Sequence, residues 1–219
     1  MSTSADEAVV GRRHVSISPS ILYFGTPVAL LATVNEDGTA NLAPVSSAWA
    51  LGWSVVLGVG CGSRTVENLA ERPEVVVNLP GPELWRQVEA LAPLTGARPV
   101  PEGKRGVYRH EPDKFRAAGL TPQASETVRP PRVAECPLQL EAVVRSMRPG
   151  GAEGDFRIVE CEVVRVHADD SVVVPGTQHV DPSAWSSLIY NFRHYYGLSA
   201  ELGFGFRSET AAGSAARGG

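Results

Sequence analysis

The sequence predicts a mainly β chain with flanking helices, its strands forming an antiparallel barrel. Three observations lead there. Four short β-prone runs between residues 27 and 79 are divided by turn residues and one helical stripe, an order unlike alternating βαβ units. Asp37-Gly38 separates the first two runs, and glycine supplies the positive φ that a tight hairpin needs. A strong strand over 156–168 then marks a second β half.

Taken in order, residues 1–18 read as a flexible lead-in. Ser18-Pro19-Ser20 has the composition of a helix start, so a helical turn is expected to carry Ile21, Leu22, Tyr23 and Phe24 up to Gly25. Pro27–Asn35 (PVALLATVN) is apolar and too short for a helix, and should pair with 39–47 across the Asp-Gly turn. Gly52–Gly60 (GWSVVLGVG) is the third strand, whose glycines imply a bulge or close backbone approach. Ser63 is a good N-cap for a helix with the stripe Val66, Leu69, Ala70, ended by Arg72-Pro73. Glu74–Leu79 (EVVVNL) is the fourth strand, closed by Pro80-Gly81-Pro82.

Glu83–Leu94 is expected to be helical, with Leu84, Val88 and Leu91 on one face. Thr95–Gly106 reads as a surface loop, Glu111–Leu120 as a short helix ending at Gly119, and Thr121–Arg132 as a second loop. Together 80–132 is an insertion whose long loops suggest function or mobility. Val133–Met147 opens the second β half, with Pro137 marking an edge, a bulge or a strand start. Phe156–Ala168 follows and turns at Asp169-Asp170-Ser171 into Val172–Val174. A helix or irregular segment is expected over 181–190, then an aromatic, glycine-rich stretch to Phe206 and a disordered tail over 208–219. One domain over 19–207 is the expected organisation.

Composition narrows the function. A net charge of −4 without any block of like charge gives no basic footprint for nucleic acid. No run reaches the roughly 18 apolar residues of a membrane span, and the polar N-terminus has no signal-like core. Cys61, Cys136 and Cys161 are odd in number and lie far apart, so neither a disulfide framework nor a zinc site is expected. A reducing, cytoplasmic setting fits these features.

The chemistry concentrates between Asn41 and Asn68. Ser46 and Ser47 sit at a strand-to-loop junction, where hydroxyls and backbone N–H groups suit an anion without adding bulk, though they also suit a plain strand end. Ser63-Arg64-Thr65 opens a helix, whose N-terminus offers free N–H groups and a positive dipole end, with Asn68 one turn on. Ordinary capping by Ser63 beside a solvated Arg64 is the plainer alternative. One strand, 52–60, joins the two clusters and directs them at a single ligand.

The run Pro27-Val28 to Asn35, then Asp37-Gly38, NLAPVSS, SRTVENL and VNLP resembles the flavin reductase-like, FMN-binding split-barrel family. VAECPLQLE, the long strand 156–167 and the aromatic C-terminal segment sit where that family has its second half, so the resemblance spans roughly 19–207. It implies a six-stranded Greek-key barrel, a homodimer, and flavin near the subunit interface. By the same resemblance Asn41, Ala43, Pro44, Ser46 and Ser47 line the isoalloxazine and ribityl chain, and Ser63, Arg64, Thr65 and Asn68 hold the phosphate. Compact members use a histidine near the C-terminal end for the nicotinamide, and His194 is the candidate there, with His179 the weaker one. Tyr195 and Tyr196 could stack on a ring or form a buried cluster, while Trp49 and Trp53 read as core or interface.

The implied function is an NAD(P)H:flavin reductase using FMN, or alternatively FAD, that supplies reduced flavin to a partner monooxygenase. A protein of this kind needs no separate acid–base pair, because the flavin carries the hydride chemistry. It needs no GxGxxG element either, and none is present. Two alternatives stand beside it: a tightly FMN-bound enzyme acting on an organic substrate under the 80–132 insertion, and a non-enzymatic flavin- or haem-binding module, with His179 or His194 as the haem ligand.

Overall fold

The computed structural model describes residues 13–202. The lead-in expected over 1–18 therefore lies outside the described residues up to residue 12, as do the end of the aromatic stretch and the tail over 208–219. The first half contains β1 Phe24–Pro27, β2 Ala29–Val34, β3 Ala40–Val45, β4 Ala48–Leu51, β5 Ser54–Gly60, α1 Arg64–Glu71 and β6 Glu74–Leu79. Next come α2 Trp85–Leu91, the short strands β7 Leu94–Thr95 and β8 Arg109–His110, α3 Lys114–Ala118, β9 Pro122–Gln123 and β10 Arg132–Val133. The second half is β11 Leu138–Gly150, β12 Phe156–Ala168, β13 Ile189–Asn191 and β14 His194–Tyr196.

Seven strands form one antiparallel sheet in the order β3-β2-β6-β11-β12-β5-β4. The seventh strand arises because 48–60 is not one run: Ala48–Leu51 folds back on Ser54–Gly60 around Gly52, which sits at φ +57. β3 and β4 are the two edges of the sheet, yet only Ser46 and Ser47 lie between them in sequence. A flat seven-stranded sheet would hold its edges roughly 29 Å apart. Two linking residues span only about 10 Å. The sheet must therefore coil until its edges face each other across a seam. At the crossing the Gly58 N–H donates to the Ser47 carbonyl at 2.7 Å, extending the β4–β5 ladder by one pair, and a Cβ on Gly58 would stand 2.9 Å from that of Ser47.

Coiling gives the sheet an inside and an outside, and both are packed. Leu31, Leu57, Val75, Val77, Ala142, Val159 and Cys161 fill the interior with Leu69 of α1. Leu30, Ala32, Leu42 and Val76 point the other way, against Leu84, Val88, Leu91, Phe115 and Leu120. β2 and β6 are buried on both faces, so they read as continuous apolar runs rather than as alternation. The insertion is thus a second core against the outer wall. The stretch expected as a surface loop, 95–106, starts inside it, with Thr95 and Ala97 buried.

One other expectation changes, and two that were open are narrowed. Residues 18–24 form no helical turn: Phe24–Pro27 pairs with β13, and Gly25 at φ +85 takes up an irregularity in that register. Of the helix or irregular segment expected over 181–190, the irregular form is found up to Leu188, which is pinned by backbone hydrogen bonds with Val28 and Pro80. Trp49 and Trp53 are 58% and 65% exposed, so they do not belong to the core. Cys61, Cys136 and Cys161 are all free. Among the described residues no helix is long and apolar enough to cross a membrane.

Candidate functional site

The seam opens into a cleft of about 420 Å³. Its wall includes Asn41, Ala43, Pro44, Ser46, Ser47, Ser63, Arg64 and Thr65, eight of the nine cofactor-binding residues expected from sequence. β3 carries the first three, the two-residue crossing between the sheet edges presents Ser46 and Ser47, and the first turn of α1 presents the rest. Ser63 caps α1, its Oγ accepting from the Val66 N–H at 3.3 Å, which leaves its hydroxyl proton free to donate. Arg64 is held from two sides, donating to the Gly96 carbonyl at 3.2 Å and pairing with Glu67 at 2.8 Å.

Asn68 does not reach the cleft. One turn into α1 its side chain faces β2, where it is fully buried and donates at 3.0 Å to both Thr33 Oγ1 and Asn35 Oδ1. Arg72 donates to its oxygen. Asn41 links this layer to the cleft, its amide donating to Thr33 Oγ1 and Thr65 Oγ1 at 3.2 Å each.

The insertion adds cations that the sequence reading did not single out. Lys114 of α3 is only 4% exposed, and its Nζ donates to Asn41 Oδ1 at 3.0 Å. Among the described residues no carboxylate lies within ion-pair distance of it. Burial, and then repulsion from Lys104, pull its pKa down to about 8. Lys104 also lines the cleft, lies over the Tyr108 ring, and has a pKa lowered by burial. Three cations, two hydroxyls and a helix N-terminus therefore gather at one end. A lysine in a short helix 50 residues downstream leaves no local pattern; only the Asp113 cap and Gly119 stop marked that helix.

Aromatic rings gather elsewhere along the wall. Tyr23, Tyr190 and Tyr195 line it together, with ring centroids 5.7 Å apart for the first pair and 5.3 Å for the second. Tyr195 donates to Glu89 at 2.9 Å. His194, its neighbour on β14, points the other way and lines a separate groove with Trp85 and Tyr196. His179 lines neither, and no group of three His, Cys, Asp or Glu among the described residues could hold a metal.

Comparison with known proteins gives this geometry a family. The protein YdfE of Bacillus subtilis (strain 168) is 48% identical over 200 residues, covering 91% of this chain and 96% of its own. The solved structure of flavoredoxin from Desulfovibrio vulgaris (Miyazaki F) superposes with a TM-score of 0.74 at 20% identity, covering 90% of this chain and all of its own. Component B of nitrilotriacetate monooxygenase from Bacillus cereus gives 0.69 at 21% identity, covering 88% and 100%. The flavin reductase like domain matches residues 21–199. The chain belongs to the flavin reductase like family, and its coiled, unclosed sheet is that family's split barrel.

Proposed function

We propose that the protein is an FMN-dependent oxidoreductase, an NAD(P)H:flavin reductase that acts as a cytoplasmic homodimer and passes reduced flavin to a partner monooxygenase. The observation that carries the reading is Lys114. A buried ammonium whose one hydrogen-bond partner among the described residues is an amide oxygen is costly, and a phosphate offsets that cost with charge-assisted hydrogen bonds. Lys104, Arg64, Thr65 and Ser63 surround the same spot, so the donor set fits a phosphate monoester.

In this reading Ser63, Arg64, Thr65, Lys104 and Lys114 hold the phosphate. Asn41, Ala43, Pro44, Ser46 and Ser47 follow the ribityl chain and ring edge along the seam. Gly58 keeps the floor low there, since any side chain would meet Ser47. Tyr23, Tyr190 and Tyr195 offer apolar ring surface that excludes water. Bound flavin supplies hydride acceptance and return, while the protein supplies orientation and electrostatics. Asn68 acts through Thr33 and Asn41 rather than by contact. The partner monooxygenase is suggested by the name of the Bacillus cereus neighbour.

A second reading shares the cofactor: FMN retained by the insertion, acting on an organic substrate. It is favoured by two of the phosphate-end cations belonging to 80–132. Anaerobic NADH or NADPH should bleach the FMN-loaded protein. Many turnovers of added free FMN support the reductase, and one turnover with retained yellow colour supports the second reading. Absence of FMN binding in a fluorescence titration overturns both.

A further inference from the structure

We propose that the groove between α2 and the β13–β14 hairpin binds the adenosine diphosphate half of the nicotinamide dinucleotide. This rests on the hydride-donor reading above. The groove measures about 570 Å³ and is walled by Trp85 and Glu89 on one side and Arg193, His194 and Tyr196 on the other. It adjoins the flavin cleft at Tyr195, which lines both. A dinucleotide can lie across that tyrosine with its nicotinamide in the cleft and its other end outside. The chain has no GxGxxG turn to hold a pyrophosphate, so a hydride donor must find its phosphate contacts elsewhere.

The groove offers the chemistry for that end. Arg193 and the ring N–H of His194 are donors for a diphosphate. Tyr196 is 52% exposed and Trp85 38%, ring surface on which a purine can stack. Arg86 lies over the Trp85 ring at 4.5 Å and adds positive charge. Glu89 is the opposing charge, engaged by the Tyr195 hydroxyl and available to a ribose hydroxyl.

The turn that presents Arg193 supports the assignment. Phe192 and Arg193 form the two central positions of the β13–β14 turn at φ +44 and +70, backbone that glycine takes freely and these residues do not. Turn stability alone would favour Asn-Gly there. The arginine occupies that strained position on the groove wall it shares with His194.

The test combines ADP-ribose, which needs no flavin, with two hydride donors. Calorimetry should show ADP-ribose binding to the wild-type protein, weakened about tenfold in Arg193→Gly and in Tyr196→Ala, the scale of one lost charge-assisted or stacking contact. Arg193→Gly should also raise the melting temperature by relieving the turn, a gain in stability with a loss in binding that a purely structural arginine would not give. Phe192→Gly should raise stability and leave ADP-ribose affinity unchanged. In the reductase assay, Arg193→Gly should raise KM for NADH while KM for reduced nicotinamide mononucleotide, which lacks the adenylate, stays constant. ADP-ribose failing to bind the wild type at millimolar concentration overturns the proposal, as does an equal rise in both KM values. ADP-ribose binding without any FMN binding would remove the flavin reading and leave the groove standing.

Discussion

Lys114 and Glu141 are two buried charges resolved in opposite ways. Lys114 gives up its proton more readily than an ordinary lysine because burial, and then Lys104, disfavour its charge, so flavin phosphate should bind best where the lysine is already charged. FMN affinity is expected to hold steady from about pH 7 to about pH 8, above the phosphate's own titration at about pH 6, and to fall as pH rises further, measured by fluorescence titration. Lys114→Met should weaken FMN roughly tenfold or more and leave riboflavin affinity unchanged, since only FMN carries the phosphate. Glu141 of β11 has no exposed surface; burial alone would raise its pKa. Hydrogen bonds from the Thr127 hydroxyl, the Glu126 and Thr127 N–H groups and His167 outweigh that and bring it down to about 2. Because the folded value lies below the ordinary 4.5, its contribution is full above that pH and lost as pH falls toward about 2. That shift corresponds to about 3 kcal/mol. Glu141→Gln should cost a similar amount in urea unfolding near neutral pH and flatten the acid limb of the stability curve.

At the scale of elements, α3 shows how packing and site are joined. Phe115 is buried in the outer core, and the residue before it is Lys114. Phe115→Ala should cost about 3–5 kcal/mol of stability and also weaken FMN, because the cavity unseats the helix that presents the lysine. A denaturation curve and a titration on the same sample check both. Gly58→Ala tests the seam: its Cβ would stand 2.9 Å from that of Ser47, so flavin affinity should fall with little change in the hydrophobic core. The elements differ in how visible they were. Asp37-Gly38, the Ser63 cap and Glu74–Leu79 announce themselves through local chemistry and match the structure closely. Phe24–Pro27 did not, because its partner β13 lies 165 residues away and apolar composition alone cannot tell strand from helical turn. Asn68 was placed on the cleft by its motif, but helical rotation turns it to β2.

For the whole molecule, the cleft is assembled from β3, the crossing between the sheet edges, α1 and the insertion, none of which holds it alone. A ligand there ties these parts together and should stabilise the fold by mass action, about 2.7 kcal/mol at a hundredfold excess over Kd. Melting temperature should therefore climb with FMN concentration and respond less to riboflavin, as read by scanning calorimetry. The sequence motifs fall on two flanks of the cleft, but the insertion's contribution lay in tertiary contacts that no motif encodes. The coiled sheet also imposes an order on biosynthesis. The two edges are tethered by Ser46 and Ser47 as soon as both are made, yet the sheet between them is completed only when β11 and β12, residues 138–168, bridge β6 to β5. A nascent chain halted before that point carries the Ser63–Thr65 turn without the completed sheet behind it. The cleft wall is complete only once Tyr190 and Tyr195 of the last two strands have been added.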